Sequence, residues 1–387
     1  MYYYVLALFL FVLFAKGETL EEILSKIDEN PYIKSNLSMV ESYEGEVIKA
    51  KSLPNPEGYL EVGRLVGNNS SATITQFSIS QPLKLYGQRV YQTQAALKEK
   101  SYQKLQFEAL RRQYLATVYS AFYDTLYYKE LLNVIERETN LSKEILDFVE
   151  KTYKLGESAK LDLFRAQKDY ELSLARLKQY QNTYRESLKN LSALVGYQVN
   201  DVEGNFFQVR ELKDLDVENL PDIKSLEEKV KSLESMEKYY RALAKPQVSL
   251  GLITKESSTN KYEAGFMITF SIPVFYRNLG EIVSVKHQKS SFEYLKDYKI
   301  NSLKITLSSI KENYNSTLKI ISDLDKTLTI SSEELKLAEK SYKLKVISLF
   351  EFSNVKTQFF EALKYKLELY KNLHQIYTKY IEIGGQI

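Results

Sequence analysis

Cysteine is absent from this chain of 387 residues. Its absence excludes disulfides, thiolate metal sites, cysteine nucleophiles and an N-terminal cysteine that could carry lipid. Tryptophan is absent too, and histidine occurs only as His287 and His374. Two histidines cannot make a histidine-based metal site by themselves, and both read as ordinary polar helix residues. Neither sign of charge is in excess, since 53 basic and 50 acidic side chains leave a formal net charge of +3. Such a balance gives no global pull toward nucleic acid or anionic lipid. A glycine-rich phosphate loop and a histidine–carboxylate set are missing, and Gly156-Glu157-Ser158-Ala159 lacks the second glycine of a serine elbow. The chain therefore reads as a non-enzyme, with no catalytic, cofactor-binding or metal residues.

What is present begins with an apolar run from Tyr2 to Ala15, closed by Ala15-Lys16-Gly17. An apolar stretch of about 7 to 15 residues ending in small residues is a signal-peptide pattern, whereas a spanning helix needs about 20. Residues 1–17 are thus expected to be a signal peptide, with the mature chain starting at Glu18. No positive charge precedes the run, so an uncleaved inner-membrane anchor also fits. Either way the body lies outside the cytoplasm.

Glycine and proline number only 14 and 7, and their placement divides the chain. Residues 18–195 form a first repeat. A short helix over Thr19–Lys26 stops at Asn30-Pro31, and a second over about Tyr32–Ser52 stops at Pro54-Asn55-Pro56. Alternating runs around Gly67–Ser71 predict a β-hairpin over about 59–83, closed by Pro82 and Gly87. Gln88 to Leu155 then contains neither glycine nor proline. About 68 helical residues make a rod of roughly 100 Å, which a compact domain cannot bury, so coiled-coil seams must. After Gly156 the chain turns and runs back to about Val195, making a helical hairpin over about 88–195.

Residues 196–221 are a polar joint, and residues 222–387 repeat the plan. A helix over Asp222–Lys245 precedes a β-hairpin over about 247–275 and a long helical hairpin over about 280–383. At its turn, Tyr342-Lys343-Leu344-Lys345 answers Tyr153-Lys154-Leu155-Gly156, while Glu351 answers Asp162 and Phe352 answers Leu163. Two internal repeats of one architecture are expected.

The last strand alternates Ala264, Phe266, Ile268, Phe270 and Ile272 with Gly265, Met267, Thr269 and Ser271. Over about 10 residues that is the dyad pattern of a membrane β-barrel strand. Tyr59, Tyr262, Phe275 and Tyr276 sit near strand ends, where an aromatic girdle belongs. A soluble half-buried sheet alternates in the same way. Four strands cannot close a barrel alone, so a membrane reading requires strands pooled between subunits.

At this point the sequence resembles the TolC family of outer-membrane efflux proteins. The resemblance rests on Leu20-Glu21-Glu22-Ile23 with Asn30-Pro31, on Pro54-Asn55-Pro56, and on Gln81-Pro82-Leu83 with Tyr86-Gly87-Gln88-Arg89. It continues through Tyr153-Lys154-Leu155-Gly156-Glu157-Ser158 into Leu161-Asp162-Leu163, and through Ser271-Ile272-Pro273-Val274-Phe275 with Arg277-Asn278 and Gly280. Lys345 stands where the family often has glycine, and the missing cysteine excludes its lipoprotein branch. The resemblance implies a mainly α protein with a transmembrane β-barrel portion. Long helical hairpins of a homotrimer would form an α-barrel, four strands per protomer a 12-stranded barrel in outer-membrane lipid, and residues 196–221 an equatorial linker. It further implies a passive exit duct of a tripartite efflux or type I secretion system. Its partners would be a periplasmic adaptor (membrane fusion protein) and an inner-membrane pump of RND or ABC type, with no nucleic acid. The alternative is a periplasmic coiled-coil scaffold or adaptor without a membrane barrel.

The two turns carry the candidate sites. Gly156 allows positive φ, Ser158 is placed to cap the next helix, and Ser348 with Glu351 fits a Ser-x-x-Glu capping box. Gly156, Glu157, Ser158, Lys160, Lys345, Ile347 and Ser348 are candidates for adaptor docking, or turn and cap residues alone. Asp162 and Glu351 recur at equivalent places and in a trimer would each form a carboxylate ring at a pore constriction. Otherwise they are solvated helix-terminal charges.

Overall fold

A computed structural model describes residues 17–67, 71–257 and 261–386. The expected signal peptide, apart from Gly17, lies outside the described residues. Two small helices open the described chain, α1 (Leu20–Ser25) and α2 (Pro31–Lys51). Thr19 caps α1 in a capping box with Glu22. Pro31 does not merely stop the preceding helix; it is the first residue of α2, where a missing N–H costs nothing. Pro221 does the same for α5 (Pro221–Leu243).

Between them run strands β1 (Glu57–Val66) and β2 (Ser71–Leu83) and helices α3 (Gln88–Lys154) and α4 (Lys160–Val195). After α5 come β3 (Gln247–Ser257), β4 (Lys261–Ser271), α6 (Leu279–Lys343) and α7 (Leu349–Ile383). The 67 residues of α3 form one uninterrupted helix. Its hydrogen-bond ladder continues because nothing in that stretch lacks an N–H or favours positive φ. Pro82 departs from expectation. It lies inside β2 opposite Ser249, rather than closing the hairpin before it.

The strands form one antiparallel sheet in the order β1-β2-β3-β4, so β1 and β4 are its edges. The chain divides into two compact units, and neither is one of the sequence halves. One unit comprises residues 35–110 and 216–304, and the other residues 17–34, 111–215 and 305–386. Each draws on both repeats, because helices this long are stabilised by packing against helices of both hairpins.

In the strand-bearing unit, α5 is tied to the first turns of α3. The Lys229 Nζ donates to both oxygens of Glu99 at 2.9 and 2.8 Å, and the Ser232 hydroxyl donates to the Ala95 carbonyl at 3.0 Å.

The other unit is built on aromatic packing. Tyr119, Phe122, Phe206, Leu373 and Tyr380 are among its fully buried side chains. Residues 196–215, the greater part of the expected joint 196–221, are wired to the long helices. Lys129 donates to both carboxylate oxygens of Asp201 and to the Val202 carbonyl. Tyr314 donates to the Arg210 carbonyl at 2.5 Å, and Tyr380 donates to the Lys213 carbonyl at 3.0 Å.

His374 was expected to be an ordinary polar helix residue, and it is not. The Phe206 carbonyl accepts from its Nε2 at 2.8 Å, so Nδ1 is the acceptor for the Tyr119 hydroxyl at 3.0 Å. Its ring stacks on Tyr123 at 3.7 Å. Burial, first, holds its pKa down at about 4.

Candidate functional site

The turn after α3 follows from one residue that tolerates positive φ. Gly156 has φ +75°, its N–H donates to the Tyr153 carbonyl at 2.9 Å, and the Glu157 N–H reaches back to Thr152 at 2.8 Å. This is the Schellman closure of a helix end. The turn after α6 repeats it bond for bond. Lys345 N–H donates to the Tyr342 carbonyl and Val346 N–H to the Ser341 carbonyl, both at 2.9 Å. Here the left-handed position holds Lys345 at φ +63°, a conformation that costs a non-glycine residue about 1 kcal/mol. A Cβ at Gly156 would meet nothing within 4 Å, so only φ asks for glycine there.

The two turns lie side by side, and the Lys345 Nζ donates to Glu157 at 2.7 Å. Both side chains are half exposed, so the pair contributes about 0.2–1 kcal/mol. Beneath them Ile145, Val149, Ala166, Ala338, Tyr342, Leu349 and Phe352 form one buried cluster drawn from all four long helices. Tyr342 stacks on Phe352 at 5.6 Å, and Phe148 meets the Tyr342 ring edge-on at 5.7 Å. Burial, helped by the nearby Asp162 charge, pushes the Tyr342 hydroxyl up to about 12.

Ser348 caps α7 in a full capping box. Glu351 N–H donates to the Ser348 hydroxyl at 3.2 Å, and the Glu351 carboxylate accepts from the Ser348 N–H at 2.7 Å. Those bonds hold its pKa below the usual glutamate value. Ser158 does not do the same for α4. The N-cap is Ala159, with no side-chain bond, because the Ser158 hydroxyl pairs with Thr152 at 2.6 Å and locks the turn onto the end of α3. Asp162 occupies the position in α4 that Glu351 occupies in α7, and lies 3.7 Å from the Arg165 guanidinium.

Of the expected surface residues, Gly156, Glu157, Lys160, Lys345 and Ser348 are exposed. Ser158 and Ile347 are half-buried, Ile347 against the cluster beneath. Sequence reasoning passed over Leu155 and Leu344, which stand exposed on the same surface beside Val346. The available signal was an apolar residue placed outside the helical seam immediately beside each turn.

The sheet is the second candidate surface. Register places Leu60 beside Phe77, Ile79 beside Leu252, Leu252 beside Phe266, and Leu250 beside Ile268, all on one face. On the opposite face Glu61, Gln76, Lys255 and Glu263 make a polar row straight across all four strands. Among the described residues nothing covers the apolar face, and Phe266 is 92% and Ile268 63% exposed. Toward the loops it ends in Tyr262, whose hydroxyl donates to Glu256 at 3.0 Å. Among the described residues, no helix is long and apolar enough to cross a membrane.

Comparison with known proteins agrees with this geometry. A family model described as "Outer membrane efflux protein" matches residues 53–197. Among curated proteins nothing matches the chain. Several solved structures share the fold. The CusC channel superposes with a TM-score of 0.81 at 17% identity, over 95% of this chain and 92% of that one. The outer membrane protein VceC of Vibrio cholerae gives 0.78 at 12% identity, over 95% and 96%. The MtrE outer membrane channel of Neisseria gonorrhoeae, in its open state, gives 0.78 at 16% identity, over 95% and 89%. The TolC-family resemblance and the mainly helical fold with a small sheet are thereby borne out. Residues 53–197 are thus similar to the outer membrane efflux protein family, and the chain shares its fold with these channels over nearly its whole length.

Proposed function

We propose that three copies of this chain form an outer-membrane exit duct. The observation that carries the reading is the uncovered sheet: one face apolar, one face polar, and two edges without partners among the described residues. A four-stranded sheet with free edges is untenable in lipid, whereas three such sheets closed edge to edge give a 12-stranded barrel with no edge left. The apolar face then meets hydrocarbon, and the row through Glu61, Gln76, Lys255 and Glu263 lines water. The outer-membrane location suits the family match, and no reaction is required of any residue.

The duct is passive and receives its cargo from an inner-membrane pump through a periplasmic adaptor, which together choose the cargo. The adaptor docks on the paired turns, where Gly156–Lys160 and Lys345–Leu349 are joined by the exposed apolar residues Leu155, Leu344 and Val346. Asp162 and Glu351 supply rings of carboxylates near that mouth. Unchanged conductance in Asp162→Asn and Glu351→Gln channels would reject the ring. Crosslinks to an adaptor formed only from positions away from both turns would reject the docking surface. The reading as a whole is tested by fractionation. An SDS-resistant trimer in the outer membrane that dissociates on heating is expected. A soluble periplasmic monomer would instead support a coiled-coil scaffold.

A further inference from the structure

The strand-bearing unit carries an open cavity of about 670 Å³ lined by α2, α3, α5, α6 and the segment just before α6. That volume falls within the range of small-molecule sites. Its interior is apolar, with Ala50, Ala95, Leu233 and Val285 buried in its wall and Met236 beside them. Small side chains on the facing helices leave the space open.

The charges of the lining are unequal. Glu46, Glu99 and Glu281 face Lys49 and Lys229 across the same cavity. Both oxygens of Glu99 are taken by Lys229, and Glu46 pairs with Lys49 at 3.6 Å. Glu281 has no cationic partner among the described residues; its carboxylate accepts from the Tyr276 hydroxyl at 2.6 Å and from its own backbone N–H. Gly280 keeps that contact possible, since a Cβ there would lie 2.7 Å from the Tyr276 oxygen. One uncompensated carboxylate thus sits at the rim of an apolar chamber lined by three tyrosines, Tyr43, Tyr240 and Tyr276. A cation finds there a counter-charge and aromatic rings, while its apolar body fills the floor.

We propose that this cavity binds organic monocations with an apolar body, one per chain. The inference stands on the cavity and its charge balance, and its test rests on the membrane reading proposed above, whose failure would show separately as a chain that does not enter nanodiscs. Tetraphenylphosphonium and tetraphenylborate have nearly the same shape and opposite charge, so they separate charge recognition from simple apolar uptake. Binding is measured by calorimetry on the full-length protein in lipid nanodiscs, with empty nanodiscs subtracted. Saturable binding of the phosphonium at one site per chain, with none for the borate, is expected. Glu281→Gln, which keeps the acceptor for Tyr276, should weaken the phosphonium about fivefold. Ala96→Leu, which fills the chamber from α3, should abolish binding. Equal binding of the borate, no saturable binding of either ion, or an affinity unchanged by Glu281→Gln would each overturn the proposal.

Discussion

The two return helices, α4 and α7, occupy corresponding places in the two hairpins but are packed very differently. In α7, Phe352, Phe359, Phe360, Leu367, Leu373, Tyr377 and Tyr380 are all buried, and Lys356 is withdrawn from solvent to pair with Asp169 and to donate to Ser142 at 2.9 Å. The buried positions of α4 run to Ala166, Ser173, Ser187, Leu188, Leu191 and Val195, mostly small or confined to its last turns. Their turns share one set of backbone bonds, yet one is held by Gly156 and the other by Lys345. The difference teaches that a repeat conserves backbone plan more readily than burial. Within the chain α7 is a core helix, and α4 is a helix with one face left over.

The largest test of that contrast is truncation beneath each turn. Phe352→Ala should cost about 3–5 kcal/mol, because Phe352 is fully buried in the four-helix cluster. Leu163→Ala, at the matching position of α4, removes a half-buried side chain and should cost about 2 kcal/mol or less. Denaturant unfolding measures both, and equal losses would erase the distinction.

A second test uses pH. His374 of α7 corresponds to Arg185 of α4, which is exposed. With a folded pKa near 4 against 6.5, the unfolded chain takes up the proton first as pH falls. The stability from His374 is therefore complete above pH 6.5 and is lost between 6.5 and 4, by up to about 3 kcal/mol. His374→Gln should flatten the pH dependence of the melting temperature, while Arg185→Gln leaves it alone.

Smaller effects belong to the turns. Gly156→Ala should cost about 1 kcal/mol from φ alone. Lys345→Gly should cost nothing measurable, since relief at φ +63° offsets the lost pair with Glu157. Ser348→Ala removes a true cap and should cost about 1 kcal/mol, whereas Ser158→Ala loses only the bond to Thr152, about 0.5 kcal/mol. Hydrogen exchange in the first turns of α7 and α4 distinguishes the two serines.

Much of this fold was legible because its punctuation is local. The scarcity of glycine and proline located α3 within a residue, and strict alternation located β4. The capping box at Ser348 was readable for the same reason. Ser158 misled because capping depends on φ and ψ, and Thr152 offered its hydroxyl a nearer partner. His374 could not be placed, since its partners are Tyr119 and Phe206, far away in the chain. The division into two units that each draw on both repeats was hidden for the same reason: burial of a long helix is decided by partners distant in the chain, from both hairpins. The exposure of Leu155, Leu344 and Val346 likewise depends on which faces the neighbouring hairpin leaves uncovered.

The absence of native cysteine allows the central claim, closure of three sheets into one barrel, to be tested directly. Phe266→Cys on β4 would be combined in turn with Gly58→Cys, Leu60→Cys and Val62→Cys on β1, and each pair oxidised in isolated outer membranes. At least one register should give a covalent ladder on a denaturing gel that reaches three chains and stops. No crosslink in any register, or a ladder that continues past three, would contradict the account.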